Sequence, residues 1–320
     1  PSQVPLMKIS ILIVCYNHED YISDAVDSIL MQMNEFDTEV ILLDDASTDN
    51  TFKVATSKLA GAGNVQLIHN EVNLGITKNY QKGFSLCTGE YVFVLEGDDY
   101  WLDAFKVKKQ VEFLEQHPFH SMCFHSFILQ KGTSRIFEPF ELTGEVAPSM
   151  NKYKIPPTDG SASFSISDLI TIEGLIGTFS VCCYRKKWLD QLPAALFTVT
   201  AYDWAVNLFM AHFGLLGRIN SVMSVYRVAD NATWSSKTDA ERSMDVKGLI
   251  PVYDQLLSFQ YSNLFARKLT AMDAWKENKS VGSIRALTIK DWVPPIVTAI
   301  LKSILPPAIK SRIRKRQHRP

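Results

Sequence analysis

No run of 18 uninterrupted apolar residues occurs in the 320-residue chain, so no ordinary membrane-spanning helix is predicted. Cysteine is scarce. Cys15, Cys87, Cys123, Cys182 and Cys183 are too few for a disulfide scaffold. None stands in CxxC spacing, which argues against a thiolate zinc site. Four lie in or beside apolar runs, where buried free thiols are ordinary, and that suits a reducing compartment. The Walker-type and GxGxxG glycine patterns that cradle phosphates are both missing. A charge excess is lacking too, with 33 Lys and Arg against 34 Asp and Glu. That balance hides an asymmetry. Lys310, Arg312, Arg314, Lys315, Arg316 and Arg319 crowd the end of the chain, and without those six, 27 basic residues face 34 acidic ones. So acidic a body argues against wrapping nucleic acid, which needs clustered basic residues.

What is present is the composition of a globular protein. The 46% hydrophobic and 21% charged fractions exclude disorder for most of the chain. Length alone gives a prior of about two domains. Residues 1–6 offer no pattern and read as an expression remnant or misplaced start. The apolar run after Met7 is interrupted by Tyr16, Asn17, His18 and Glu19 where a leader's cleavage site would fall. The sequons at Asn231 and Asn278 therefore read as chance matches.

The first hundred residues alternate strand and helix patterns. Ile9–Cys15 is a short apolar, β-branched run, as a buried parallel strand should be, and Glu39–Leu43, Val65–Ile68 and Tyr91–Leu95 read as the second, third and fourth strands. Tyr21 to Leu30 and Lys78–Cys87 carry helical spacing. Ser47 or Thr48 is expected to cap the helix between the second and third strands, with Asp49 in its first turn. This order predicts an α/β fold with a mostly parallel sheet and right-handed crossovers. Further on, Asp103–Gln116 reads as helix, Ser121–Leu129 as extended, 131–163 as a long loop or irregular hairpin, and Phe179–Tyr184 as strand. Asp203–Phe213 reads as helix, Arg218–Val228 as extended and Ala240–Asn278 as mostly helical.

Ligands of such sheets bind beyond the carboxyl ends of the strands. Polar residues gather there: Tyr16 and Asn17 after the first strand, Asp44 and Asp45 after the second, Asn73, Gly75 and Lys78 after the third. Glu96, Asp98 and Asp99 follow the fourth. An isolated Asp-Asp pair would more often simply punctuate a strand. Two such pairs on one edge repel each other unless a cation or a donor-rich ligand sits between them. Carboxylates are hard ligands suited to Mg2+ or Mn2+.

Five stretches, ISILIVCYNHEDYISDAVDSIL, VILLDDASTDNT, NLGITKNYQKG, GEYVFVLEGDDYW and YDWAVNLFMAHFGLLGRINSVMSVYR, together resemble the family 2 glycosyltransferases over about residues 8–228. The resemblance implies a GT-A, Rossmann-like fold and an inverting, nucleotide-sugar-dependent activity. It makes Tyr16 the aromatic that stacks on the donor base and places Asn17 beside it. It makes Asp45 the acceptor of a uracil or thymine N3–H. Lys78 stands near where relatives carry an arginine at the nucleotide, keeping the charge without the bidentate fork. Asp98 and Asp99 match the metal-binding motif, with Asp98 also near the nucleotide, and Glu96 stands where relatives have another Asp. Asp203 matches the catalytic base. Trp204 reads as wall or core beside it. Arg227 meets either a phosphate or a structural carboxylate, and Trp234 either closes over the acceptor or is a surface aromatic. His212, a lone histidine, reads as structural.

The resulting expectation is a transferase that moves a sugar from a UDP- or dTDP-sugar to a saccharide or lipid-linked saccharide, with Mn2+ or Mg2+, in cell-surface polysaccharide synthesis. Its expected domains are a catalytic unit at 7–235, with a nucleotide-binding half to about 100 and an acceptor half after it, then a helical extension at 236–290. Residues 291–320 form an amphipathic, proline-broken, basic tail suited to the surface of an anionic bilayer. The alternative is that this segment packs on the body with a disordered basic end. The expected location is cytoplasmic, peripheral on the membrane face. Two rivals remain. A nucleotidyltransferase acting on sugar phosphates would want a basic, glycine-rich loop where this chain has CYNHEDY. A catalytically dead sugar-nucleotide binder would not need Asp45, Asp98, Asp99 and Asp203 together.

Overall fold

The computed structural model describes residues 7–131, 137–139, 162–172, 176, 178–200, 202–228 and 237–278. Trp234, the sequon at Asn231, residues 1–6 and the tail at 291–320 lie outside the described residues.

Strand β1 (Lys8–Cys15) is buried along nearly its whole length. It pairs in parallel with β2 (Asp37–Asp44) on one side and β4 (Tyr91–Glu96) on the other. Beyond β2 lies β3 (Val65–His69), also parallel. Side chains alternate across the pleat. Leu12, Val14, Ile41, Leu43, Val92 and Val94 join one core with Tyr80 and Phe84 of helix α3 (Ile76–Leu86). Ile9, Ile11, Ile13, Leu42, Phe93 and Leu95 join the other. That second core is shared with α1 (Ile22–Leu30), α2 (Thr51–Leu59) and α4 (Lys106–Gln116). Two buried faces are why β1 and β4 read as unbroken apolar runs, whereas the edge strand β3 (VQLIH) is largely exposed. Gly89 lets the chain enter β4 close against β1, since a Cβ there would lie 2.5 Å from the Ile9 carbonyl carbon.

The second half extends the same sheet. The strand order is β3-β2-β1-β4-β9-β6-β10-β5, with β5 at Tyr100–Trp101, β6 at His120–Lys131, β9 at Cys183–Arg185 and β10 at Leu215–Val228. β9 is antiparallel to both β4 and β6, whereas β6 and β10 run parallel. The short β7 (Phe137–Pro139) and β8 (Ala162–Phe164) flank β6 and β10. Helices α5 (Ile166–Thr171), α6 (Lys186–Leu189) and α7 (Asp203–Phe213) follow. Then come α8 (Asp239–Leu256) and α9 (Ser262–Asn278). Ile250, Tyr253, Leu257 and Phe265 of this last part are buried in the same core as α3. The body runs to Ala274, and a second unit begins at Trp275. Among the described residues no helix is long and apolar enough to cross a membrane.

Two local expectations need correction. Phe179–Tyr184 is not one strand. Thr178 caps a 3-10 turn at Phe179–Val181 by accepting from the Ser180 N–H, and only Cys183 onward pairs in the sheet. Neither Ser47 nor Thr48 caps α2, whose cap position is Asn50, and Asp49 lies before that cap rather than in the first turn, accepting from Thr51 N–H. Ser47 is instead consumed by Asp44.

Candidate active site

Parallel register brings the ends of β1, β2 and β4 to one edge: Cys15 lies opposite Asp44, and Val14 opposite Glu96. The loop after β1 is zipped to the loop after β2. Asn17 N–H donates to Ser47 Oγ at 2.8 Å, and Asn17 Oδ1 accepts from Thr48 N–H at 2.8 Å. His18 N–H reaches Thr51 Oγ1 at 2.6 Å, and Glu19 Oε2 accepts from Asn50 N–H at 2.9 Å. Asn17 takes φ 53°, a conformation that Asn tolerates better than most residues. This leaves the Tyr16 ring projecting, 44% exposed, at the mouth of the edge.

The two acids after Leu43 point different ways and have different work. Asp44 is wholly buried. It accepts from Ser47 N–H at 2.9 Å and pairs with His69 Nδ1 at 2.6 Å. Asp45, on the next position, holds the loop that follows β3. Its Oδ1 accepts from Asn70 Nδ2 and Leu74 N–H, both at 2.8 Å, and its Oδ2 from Gly75 N–H at 2.9 Å. Gly75 bends the chain into α3 at φ 77°, where a side chain would be strained. Lys78, on the first turn of α3, is exposed and donates to Gln81 at 3.2 Å. One turn later, Lys82 reaches inward to Asn70 Oδ1 at 2.6 Å.

The end of β4 is crowded with negative charge. Glu96 accepts from Thr178 Oγ1 at 2.7 Å and from Tyr80 Oη at 3.1 Å. Burial pushes its carboxyl up, and charges at Asp98 and Asp203 add to the rise. Asp99 is fully buried, and burial followed by the charges of Asp98 and Glu96 raises it well above the carboxylate range. Its Oδ1 accepts from Arg227 N–H at 2.9 Å. Glu96 and Asp98 are only half-buried, and Asp98 has His18 Nε2 4.0 Å away.

Arg227 binds no carboxylate of the β4 turn through its side chain. Its guanidinium donates to the Asp98 carbonyl at 3.1 Å and to Asp24 Oδ2 of α1 at 2.6 Å, and it lies 4.3 Å from the centre of the Tyr100 ring. It thus ties the turn to the end of β10 and to α1. Asp203 opens α7, and its Oδ1 accepts from Trp204 N–H at 2.6 Å. Burial lifts its carboxyl to about 6. It belongs to the same electrostatic neighbourhood as the β4 turn, because its charge raises both Glu96 and the Tyr80 hydroxyl. Trp204 turns away, packing on Tyr253 at 5.8 Å and donating to the Leu169 carbonyl. His212 bonds Tyr261 Oη at 3.0 Å within the helical part.

Among the described residues no three His, Cys, Asp or Glu side chains converge to hold a metal ion by themselves. The donor set still fits a hard cation whose other positions a ligand fills. Carboxylate oxygens are the right chemistry, and the two raised acids, Glu96 and Asp99, gain from a nearby positive charge. His69, Asn70 and Lys82 are residues of this edge that the sequence does not single out. Asn70 meets Asp45, and Lys82 meets Asn70, only through tertiary contact, and the only signal is that Lys82 lies in NLGITKNYQKG and Asn70 a few residues before it.

The family model described as Glycosyl transferase family 2 matches residues 10–171. An uncharacterized protein of Mycobacterium tuberculosis (strain H37Rv) is 32% identical over 241 residues, 75% of this chain and 64% of the relative. The chain thus spans just under two thirds of the length of that mycobacterial relative. TuaG of Bacillus subtilis, a glycosyltransferase assigned by name only to teichuronic acid biosynthesis, is 32% identical over 235 residues, 73% of this chain and 84% of its own length. Among solved structures, Staphylococcus aureus TarS 1-349 in complex with UDP-GlcNAc aligns with TM-score 0.59 at 17% identity, covering 94% of this chain and 82% of that one. The mannosyltransferase PcManGT of Pyrobaculum calidifontis, in complex with GDP-Man and Mn2+, aligns with TM-score 0.54 at 15% identity, covering 95% and 82%. At these identities the structural likeness is one of fold.

Proposed function

The chain belongs to glycosyl transferase family 2, and from that premise we propose that it moves a sugar from a UDP- or dTDP-sugar to a saccharide or lipid-linked saccharide, inverting the anomeric carbon. The single observation that carries this reading is the Asp203 carboxyl. It is lifted to about 6 by burial and lies within electrostatic reach of the acidic turn that ends β4. A carboxylate with that affinity for protons is ionised at neutral pH yet is a better base than an exposed aspartate. Asp203 Oδ1 is held by its own helix, so Oδ2 is the atom it offers to the acceptor hydroxyl proton. One displacement then suffices, and no second nucleophile is required.

The donor base lies against Tyr16, with Asn17 shaping the loop beneath it and Asp45 accepting its N–H. Lys78, on the exposed turn of α3, offers charge to the phosphates. Asp98 would hold Mn2+ or Mg2+, while Glu96 and Asp99, engaged with Thr178 and Arg227, keep the turn in shape. When bound, the ion stabilises negative charge on the leaving diphosphate. The Arg227 tether keeps Asp98 where donor phosphates arrive. Teichuronic acid in the name of one relative and the UDP-GlcNAc in complex with one structural neighbour support a role in cell-surface polysaccharide synthesis. The basic tail is proposed to rest on an anionic membrane face.

A panel of nucleotide sugars, assayed for metal-dependent release of nucleoside diphosphate with saccharide acceptors, tests the reading. Release from a UDP- or dTDP-sugar that requires both acceptor and Asp203 is the expected result. Pyrophosphate chemistry on sugar phosphates, or nucleotide binding without turnover across the panel, would replace it with one of the rivals.

A further inference from the structure

Asn70 stands directly after β3, 3% exposed, and both its amide hydrogens and its oxygen have partners. Its Oδ1 accepts from Lys82 Nζ at 2.6 Å. Its Nδ2 donates to Asp45 Oδ1 at 2.8 Å and to Asn79 Oδ1 at 2.9 Å. An ammonium can only donate, so Lys82 dictates which end of the amide is oxygen, and the amino end is thereby aimed at Asp45. An ionised carboxylate offers about four lone-pair positions. On Asp45, Asn70 and Leu74 N–H fill both positions of Oδ1, and Gly75 N–H fills one of Oδ2. A single position remains, on Oδ2.

We infer that Asn70, locked by Lys82, is a specificity-determining residue of the donor site: it restricts Asp45 to one further N–H and so selects uracil or thymine over guanine. The inference rests on the reading of Asp45 as the acceptor for the donor base. Uracil and thymine present one imide N–H between two carbonyls, which a single acceptor position satisfies. Guanine presents two adjacent N–H groups and grips a carboxylate through both oxygens. With Oδ1 filled, the second guanine N–H is left without an acceptor in a desolvated site, a costly arrangement. Adenine and cytosine turn a ring-nitrogen lone pair toward the carboxylate and are repelled.

Calorimetric binding of UDP, dTDP, GDP and N3-methyl-UDP to the full chain, to Asn70→Ala and to Lys82→Met tests this. The unaltered protein should bind GDP and N3-methyl-UDP about tenfold or more weakly than UDP, the scale of one hydrogen bond to a charged group. Asn70→Ala frees a position on Oδ1, so the GDP-to-UDP affinity ratio should rise about tenfold, with no rescue of N3-methyl-UDP. Lys82→Met unlocks the amide and should move the ratio the same way by less. It also serves as the second variant should Asn70→Ala not fold. A merely structural role would weaken all four nucleotides alike. An unchanged ratio in the folded variants, or unaltered protein that binds GDP as tightly as UDP, overturns the inference while leaving sugar transfer standing. Unaltered protein that binds none of the four overturns the donor-site reading with it.

Discussion

The sheet edge carries two pairs of adjacent aspartates, and they live under opposite conditions. Asp44 and Asp45 are surrounded by donors: Ser47, His69, Asn70, Leu74 and Gly75 all point hydrogens at them. Asp98 and Asp99 sit among acids: Asp98 and Glu96 raise Asp99, and Asp98 and Asp203 raise Glu96. The same dipeptide in the same topological position thus makes a satisfied region in one loop and a frustrated one in the next. A satisfied region is rigid before ligand arrives and suits recognition of a base. A frustrated one stores repulsion that a cation relieves, and suits the reacting end of the donor.

The largest effect should come from the frustrated side. Asp203→Asn should fold and bind donor normally while turnover falls about 10²–10⁴-fold. In the unaltered protein the rate should rise with pH through about 6, because the base must lose its proton, and the variant should lack that limb. Stability should carry the opposite sign. A carboxyl raised from 3.8 to about 6 favours the fold most while protonated, and that contribution is lost as pH climbs through about 6. A pH–rate profile of both proteins decides it. A rising limb that survives in the variant would remove Asp203 from the role of base.

Separating the members of the frustrated pair sharpens the comparison next. Asp98→Asn should weaken Mn2+ binding in the UDP complex about 10–100-fold, read by electron paramagnetic resonance titration. Asp99→Asn keeps an acceptor for the Arg227 N–H and removes a buried acid, so its Mn2+ affinity should fall far less. Equal losses would mean that both acids hold the ion.

A donor-satisfied acid can be tested at the opposite end of the sheet. Burial alone would raise Glu39, but hydrogen bonds from Ser10, Thr88 and Lys8 bring it down to about 2. Its contribution to stability is present above about 4.5 and lost as pH falls through about 2. Glu39→Gln should cost about 1–3 kcal/mol at neutral pH, measured by urea unfolding, and flatten that acid dependence. The smallest effect should be that of Lys78→Met. An exposed cation contributes about 0.2–1 kcal/mol, so UDP affinity should fall only a few-fold.

The parallel half of the fold is legible in the sequence because strands buried on both faces must be apolar throughout. The runs Ile9–Cys15 and Tyr91–Leu95 each come within a residue of the observed strands. Asp203–Phe213 is legible as a helix to the residue. The Phe179–Val181 turn is not, because FSVCCY has a strand's composition and is bent by a side-chain cap from Thr178, which lies outside that run. The site divides in the same way. Acids at strand ends announce themselves, whereas the partners that decide what those acids do sit 16 to 128 positions away: Tyr80 on Glu96, Asn70 on Asp45, Arg227 on Asp99. An asparagine in a turn and a lysine on a helix have nothing unusual about them until the fold brings them together.

All five cysteines are buried, and burial pushes the thiols of Cys15, Cys87, Cys182 and Cys183 up. A maleimide reagent at neutral pH therefore meets a chemically silent protein. One cysteine introduced at Phe119, 82% exposed just before β6 and at the opposite end of that strand pair from Arg227, becomes a unique attachment point. A fluorophore or surface linker placed there leaves the acidic edge of the sheet untouched, with no native thiol to delete first.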